Sequence, residues 1–306
     1  MSASSEVPAA YRNTAGDPGA FRLIREGIDD VRSRRRLVRY LVVADMRKRG
    51  ADTLLGNLWW VIDPLLQMVV YVVLVTLIAR GRSIPDYPLF IFAAILPWKW
   101  FTASVVDATA SVASQDRLIK QIAFPKIVLP VAATTAGVVG FAFGLIPLFG
   151  LMLLTELTGP ETPPAPDRIT IYLLCIPVIA AVQFIFTQGV ALLVAAGNVF
   201  FRDLGNVARH VLRLWFYLSP GLYSLTVLEN VRILDEFPIL RTILLLNPFA
   251  TLFEAYRTVI WGASVTTGPT APDWASLAAL GVASTIFLAI ATVVFKRLEP
   301  NFAKVL

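Results

Sequence analysis

Long apolar runs govern what this 306-residue chain can become. Asn57–Ala79, Pro88–Val106, Leu129–Leu154, Ile171–Ala196 and Trp274–Phe295 are almost free of charge and close to twenty residues or longer. At about 1.5 Å rise per residue, such a segment crosses a hydrocarbon core of about 30 Å. A sixth run, Leu212–Leu228, is shorter and carries Pro220-Gly221, where a missing backbone donor predicts a kink. Lipid offers no partner for backbone polar groups, so every span is expected to be helical. The expected fold class is therefore an all-α polytopic membrane protein with six transmembrane helices. Composition agrees: 57% of residues are hydrophobic and 16% charged, against about 45–50% and about 25% in soluble domains.

Basic residues orient the spans. Nineteen Lys and Arg fall on one side, eleven of them before residue 57 and ending in Arg47, Lys48 and Arg49. Arg117, Lys120, Lys126, Arg202, Arg209, Lys296, Arg297 and Lys304 complete that set. Six fall on the other side: Arg80, Arg82, Arg168, Arg232, Arg241 and Arg257. The positive-inside rule then places both termini in the cytoplasm of a plasma membrane, the parity that six spans require. The net charge of +6 is explained by anionic lipid headgroups, and no nucleic-acid partner is expected. Residues 1–20 are polar, lack a signal-peptide core and read as a disordered cytoplasmic tail. Residues 21–56 read as an interface helix with its lead-in, and residues 57–306 as the transmembrane domain.

Several chemistries are excluded. Cys175 and His210 are each alone, so neither a disulfide within the chain nor a multi-imidazole zinc site is available, and a Ser-His-Asp site is disfavoured. No Gly-x-x-x-x-Gly-Lys-Ser/Thr stretch occurs, so the chain has no phosphate loop of its own. No catalytic residues, cofactor or metal site are expected in it.

Three segments are not spans. Phe21, Ile24, Ile28 and Val31 recur at helical spacing among arginines, with Asp17-Pro18 as cap and first turn, predicting an amphipathic helix over Phe21–Arg36 along the interface. It is either a passive anchor or a surface that a partner also touches. Gln115–Pro125 predicts a short helix capped by Asp116, stopped by Pro125, and presenting Leu118, Ile119 and Ile122 with Phe124 at its end. Apolar residues on such a helix need a cover, a partner protein being favoured over lipid or intramolecular packing. Phe237–Leu246 and Pro248–Trp261, broken at Asn247-Pro248, are too short to span and predict a re-entrant helical hairpin over about 237–261. Glu156–Asp167 reads as an external loop.

Inside the spans, Lys99 lies about 16 Å along its helix, while Asp63 and Gln67 lie about 9 and 15 Å along the first. The first two spans run antiparallel, so Lys99 is expected to meet Gln67 directly or Asp63 by bending, unless it snorkels or faces a wet cavity alone. Trp59, Trp60, Tyr71, Trp98, Trp100, Phe101, Trp215, Phe216, Tyr217 and Tyr223 form an aromatic set whose flat faces suit sugar rings. The ordinary interfacial belt accounts for Trp59, Trp60, Trp261 and Trp274, less well for Trp98 and Trp100. Gly137, Gly140 and Gly144 predict close helix packing. Asp107, Asp116 and Asp203 read as caps.

Four stretches together resemble a known family. They are Leu54–Leu65 with Trp59-Trp60-Val61-Ile62-Asp63-Pro64; Leu96–Phe101 followed by Leu118–Lys120 and Phe124-Pro125-Lys126; Phe201–Leu204 through Trp215 and Ser219-Pro220; and Asn247-Pro248-Phe249 with Glu254 and Arg257. The combination resembles the permease subunit of type-2 ABC exporters, in the branch that moves lipid-linked polysaccharides such as O-antigen, teichoic acid or mycobacterial galactan. That resemblance implies a channel formed with a second copy of the chain and driven by two separate nucleotide-binding subunits that use ATP and Mg. By the same resemblance, Phe21, Ile24 and Ile28 with the Asp116–Phe124 helix dock the ATPase. Tyr71, Trp98, Lys99, Trp100, Phe101, Tyr217 and Tyr223 line the path, and the hairpin gates it outside. Arg47, Lys48 and Arg49 receive a lipid pyrophosphate head group. A permease for a drug or small lipid, and an ion-coupled secondary transporter, stand as alternatives. The second would want inverted repeats and midplane carboxylates, and no repeat is present.

Overall fold

The computed structural model describes residues 18–50, 53–79, 86–115, 119, 124–158, 167, 169–223, 244, 246–262 and 268–305. Asp17, Asp116, Leu118, Ile122, the loop around 159–166, the end of the predicted fifth span and the first arm of the predicted hairpin lie outside these residues.

The described elements are helical: α1 Ala20–Ser33, α2 Arg35–Gly50, α3 Trp59–Ala79, α4 Tyr87–Ala113, α5 Val128–Thr158, α6 Ile176–Phe200, α7 Leu204–Leu218, α8 Pro248–Ile260 and α9 Trp274–Val305. A 3₁₀ turn at Ile171–Cys175 leads into α6. Five of these (α3, α4, α5, α6 with its leading turn, and α9) are long and apolar enough to cross a membrane. The sequence placed a fifth crossing at Leu212–Leu228; instead α7 begins at Leu204 and stops at Leu218, where Ser219-Pro220-Gly221 bends the chain. Pro220 has no N–H to continue the ladder, which accounts for the stop.

The core is organised around α4, which runs through the middle of the bundle and touches α3, α5, α6, α7 and α8. Leu89 through Trp98 are buried without interruption. Close approach of α5 depends on two small residues. A Cβ on Gly137 would come within 2.1 Å of Ser104 Oγ, and one on Gly144 within 2.1 Å of Leu96 Cδ1. Gly140 meets nothing within 4 Å, because it sits about 60° around α5 from Gly137 at 100° per residue.

Around the core, α9 lies on α6, α2 on α5, and α1 on α9. The predicted helix Phe21–Arg36 is two helices, broken at Arg34, and Gly19 occupies the N-cap without a side-chain bond. Its inward face also differs from the predicted stripe. Leu23 and Gly27 are buried, whereas Phe21 is 81% exposed and Ile28 59%. The reason is on α9. Lys296 Nζ reaches Asp30 and Glu299 at 2.8 Å and Glu26 at 3.3 Å, and Gly27 is the only residue type that fits against Thr292. Ion pairing and clearance therefore set the rotation of α1, and Phe21 and Ile28 are left facing out. Glu299 also accepts from the Lys126 backbone N–H, tying the start of α5 to the same knot.

Beyond α7, two polar side chains stitch the bend to α8. Asn247 caps α8 by accepting from the Phe249 N–H at 3.0 Å, accepts from Trp215 Nε1 at 3.1 Å and donates to Ser219 Oγ at 2.7 Å. Arg257, fully buried, donates to the carbonyls of Pro220 (2.6 Å), Gly221 (2.5 Å), Tyr223 (3.2 Å) and Phe90 (3.4 Å) while its guanidinium stacks 3.8 Å from the Phe90 ring. A buried charge of this kind persists only when its donors are used, and here the freed carbonyls of a bend take them.

Candidate functional site

Consecutive residues of α4 point in different directions, and this divides the aromatic set. Trp98 is enclosed by Phe249 (ring centroids 4.7 Å), Phe101 and Phe216 (5.4 Å each), with Trp215 and Phe253 at 6.2 Å. Trp100 stacks on Phe141 at 4.8 Å. Phe101 is fully buried among Phe186, Trp215 and Phe249. All three rings are thus largely packed inside one subunit, although Trp98 and Trp100 each also form part of a cleft wall, and Phe101 is fully buried. Trp261, assigned by sequence to an interfacial belt, is likewise buried, edge-on to Phe90 at 5.4 Å. Edge-to-face pairs of this sort stabilise by about 0.5–1.5 kcal/mol each beyond area burial. So many inward rings reflect packing of a thick apolar core.

Lys99, between Trp98 and Trp100, turns outward and donates to Asp63 of α3. It forms part of the wall of two clefts. One, of 510 Å³, also takes Arg49, Trp59, Trp60, Asp63 and Trp100. The other, of 340 Å³, takes Gln67, Tyr71, Trp98, Tyr217 and Arg209. Five of the residues singled out from sequence (Tyr71, Trp98, Lys99, Tyr217 and Gln67) therefore share one cleft. Tyr223 is elsewhere, offering its carbonyl to Arg257.

At the basic end, the three residues Arg47, Lys48 and Arg49 diverge. Arg47 is exposed, Lys48 faces a third cavity, and Arg49 turns inward to Asp107 at 2.5 Å and Asp45 at 2.8 Å. Burial works against the Arg49 charge, but the two carboxylates outweigh it and raise its pKa. Asp107 is therefore an ion-pair partner inside α4 rather than a cap. Asp203 does stand at the N-cap of α7, without a side-chain bond.

Of the residues expected to meet an ATPase, Ile119 is buried against Ile127, Leu129 and Leu192, and Phe124 leans on the same cluster. The intramolecular cover accounts for both. Ile24 and Ile28 border an apolar cleft of 430 Å³ between α1, α6 and α9. Phe21 remains bare. Sequence reasoning missed the Lys296 knot and the clamp role of Arg257. The signal for the first was a lysine three residues before a glutamate at a span end; for the second, an arginine within an apolar run.

Fold and clefts together define a class: a multi-pass helical membrane protein with clefts that pair a few charges with aromatic walls. No protein-family profile matches the chain. It is 31% identical over 285 residues to the O-antigen export system permease protein RfbA of Myxococcus xanthus, covering 93% of this chain and 99% of that protein. Two proteins of the same name from Klebsiella pneumoniae are 26% identical over 262 residues, covering 86% of this chain and 92% of theirs. The chain belongs to the O-antigen export permease family.

Proposed function

We propose that this chain is the membrane subunit of an ATP-driven exporter that moves a lipid-linked polysaccharide from the cytoplasmic to the outer side of the plasma membrane. What carries the proposal is the end-to-end similarity to an export permease, at 31% identity with 99% of that relative covered. In this reading the chain is a channel subunit without enzymatic activity, and two separate ATPase subunits supply ATP hydrolysis. Two copies of the chain form the channel, both termini are cytoplasmic, and α7 continues past its Pro220 bend into a sixth crossing. The segment leading to α8 forms the outer arm of a re-entrant hairpin. Helix α1 lies in the inner interface and offers Phe21 to the ATPase.

The path in this reading differs from the one expected from sequence. Tyr71, Tyr217, Gln67 and Lys99 border open space, so a sugar chain would slide along them, while Trp98 and Phe101 hold the wall in place. Flat aromatic faces with few fixed donors bind carbohydrate without demanding one register, as repeated polymer passage requires. Depletion of the chain in its host tests the proposal. Lipid-linked polymer is expected to accumulate inside the cell and surface polymer to fall, both restored by the intact gene. Undiminished surface polymer would overturn it.

A further inference from the structure

The apolar cleft of 430 Å³ beneath α1 has no part in the export reading. Ile24, Ile28 and Val31 of α1 roof it, and α6, α9 and the start of α5 form its sides. Its wall is hydrocarbon almost throughout. Thr285 and Thr292 turn their hydroxyls back to the carbonyls of Gly281 and Leu288, at 2.8 Å each. Gln188, 5% exposed, is the exception. Its Oε1 accepts from Thr134, while its Nε2 is buried and has no partner, alone in this among the side chains that line the cleft. A buried water needs about two to four polar partners, and one unmet amide in a hydrocarbon wall does not supply them. The cleft therefore suits an apolar occupant that carries an acceptor at one level.

Charge lies at one edge. Arg32 of α1 borders the cleft and is exposed. The three carboxylates of α1 are taken elsewhere, Glu26 and Asp30 by Lys296 and Asp29 by Arg25. Arg32 and the exposed Arg34, Arg35 and Arg36 that follow it have no carboxylate partner among the described residues. Depth is read along α9, which α1 crosses at Thr292 and Lys296. Gly189, beside Gln188, lies against Leu288. That level is four residues from Thr292, or about 6 Å deeper at 1.5 Å per residue. Phe184 and Thr285 line the cleft about one further turn in. From the basic edge inward the order is cations, then an amide donor, then hydrocarbon. A glycerophospholipid presents the matching order of phosphate, ester carbonyl and acyl chain, and unpaired arginines at a membrane surface favour an anionic one.

We infer that this cleft holds an acyl chain of a resident anionic glycerophospholipid, with its phosphate on Arg32 and an ester carbonyl accepting from Gln188 Nε2. The lipid fills the gap between α1 and α6, while the Lys296 knot fastens α1 to α9 directly. It is a fixed part of the subunit rather than cargo. The site requires only that the chain crosses a membrane, and it is independent of what is exported.

Native mass spectrometry of the purified full-length chain, titrated in detergent with phosphatidylglycerol and phosphatidylcholine, tests the site. Wild type is expected to retain one phosphatidylglycerol and to bind phosphatidylcholine about tenfold more weakly, the difference that one charged partner makes. R32Q should bring the two affinities together, whereas R32K and the distant K304Q should keep the preference. Q188L leaves Thr134 bonded to its own helix and should weaken both lipids about fivefold. Ala289→Trp fills the cleft and should weaken both at least about tenfold. Val282→Trp, at a residue 62% exposed on the same helix, should bind like wild type, which excludes misfolding. No retained lipid on wild type, equal affinity for the two lipids, or A289W within twofold of wild type overturns the inference. Undecaprenyl phosphate binding as tightly as phosphatidylglycerol would assign the cleft to a prenyl chain. Loss of the bound lipid when the chain is purified with its ATPase subunits would assign it to a protein partner. Either result also overturns the inference. Normal surface polymer after depletion of the chain would sink the export reading and leave the lipid site standing.

Discussion

Helices α3 and α4 are neighbours of similar hydrophobicity, yet they have opposite surroundings. In the most apolar window of α4, 78% of residues are buried within the subunit; in that of α3, 11% are. Leu66, Val69, Val70, Val73, Leu74 and Leu77 of α3 all face outward. Apolar sequence therefore marks both as spans without saying which one forms the frame. In water such a bare face would be a liability, whereas lipid tails satisfy it as well as protein does. The comparison separates a span whose contacts are internal from one whose contacts lie outside the subunit. The polar link between them, Lys99 to Asp63, occupies the boundary, and Asp63 is 63% exposed there.

The contrast can be broken from the buried side first. Arg257→Leu removes the donors for four carbonyls, including that of Phe90 on α4. Each stranded buried acceptor costs about 1–3 kcal/mol, partly offset because the burial cost of the guanidinium charge is removed as well, so a net loss of about 3–5 kcal/mol is expected. It is read as a collapse of the monodisperse peak after mild heating in detergent. Stability within about 0.5 kcal/mol of wild type would mean that the bend supports itself.

A smaller effect is expected at the α4–α5 contact. Gly144→Ala forces its new methyl group onto Leu96 and should cost about 1–3 kcal/mol, whereas Gly140→Ala, facing open space, should leave stability unchanged or slightly raised. Equal midpoints of unfolding for the two variants would refute the assigned face of α5.

On the bare side the expected effect on stability is the smallest. Leu77→Ala, at a residue 74% exposed, should shift stability by less than about 0.5 kcal/mol. A cysteine placed at Val73, with Cys175 replaced by serine, sharpens the comparison further. If this face meets a second copy, oxidation in membranes yields a covalent dimer; a purely monomeric product assigns the face to lipid.

Much of the architecture was legible because a membrane simplifies the physics. Runs of apolar residues had to be helices, and five of the six were located, though their ends ran on past the apolar limits to Ala113, Thr158 and Val305. Counting depth along two antiparallel helices set Lys99 level with Gln67 and left Asp63 within reach by bending; of the two, it is Asp63 that accepts from Lys99. The aromatic site was only half readable. Composition identified the rings, but residues one apart on a helix differ by about 100°, and only packing reveals that Phe101 is fully buried while Lys99 faces a cleft. The same limit applied to α1, where hydrophobic spacing suggested one face and Lys296, some 266 positions away, selected another.

The sequence by itself determined that this protein is helical, multi-pass and asymmetric in charge, because lipid excludes unpaired backbone and repels misplaced cations. Tertiary structure alone decided which span became the axis and which carboxylates were already neutralised. Those outcomes depend on side chains far apart in the chain competing for the same partner, and no local pattern records who wins.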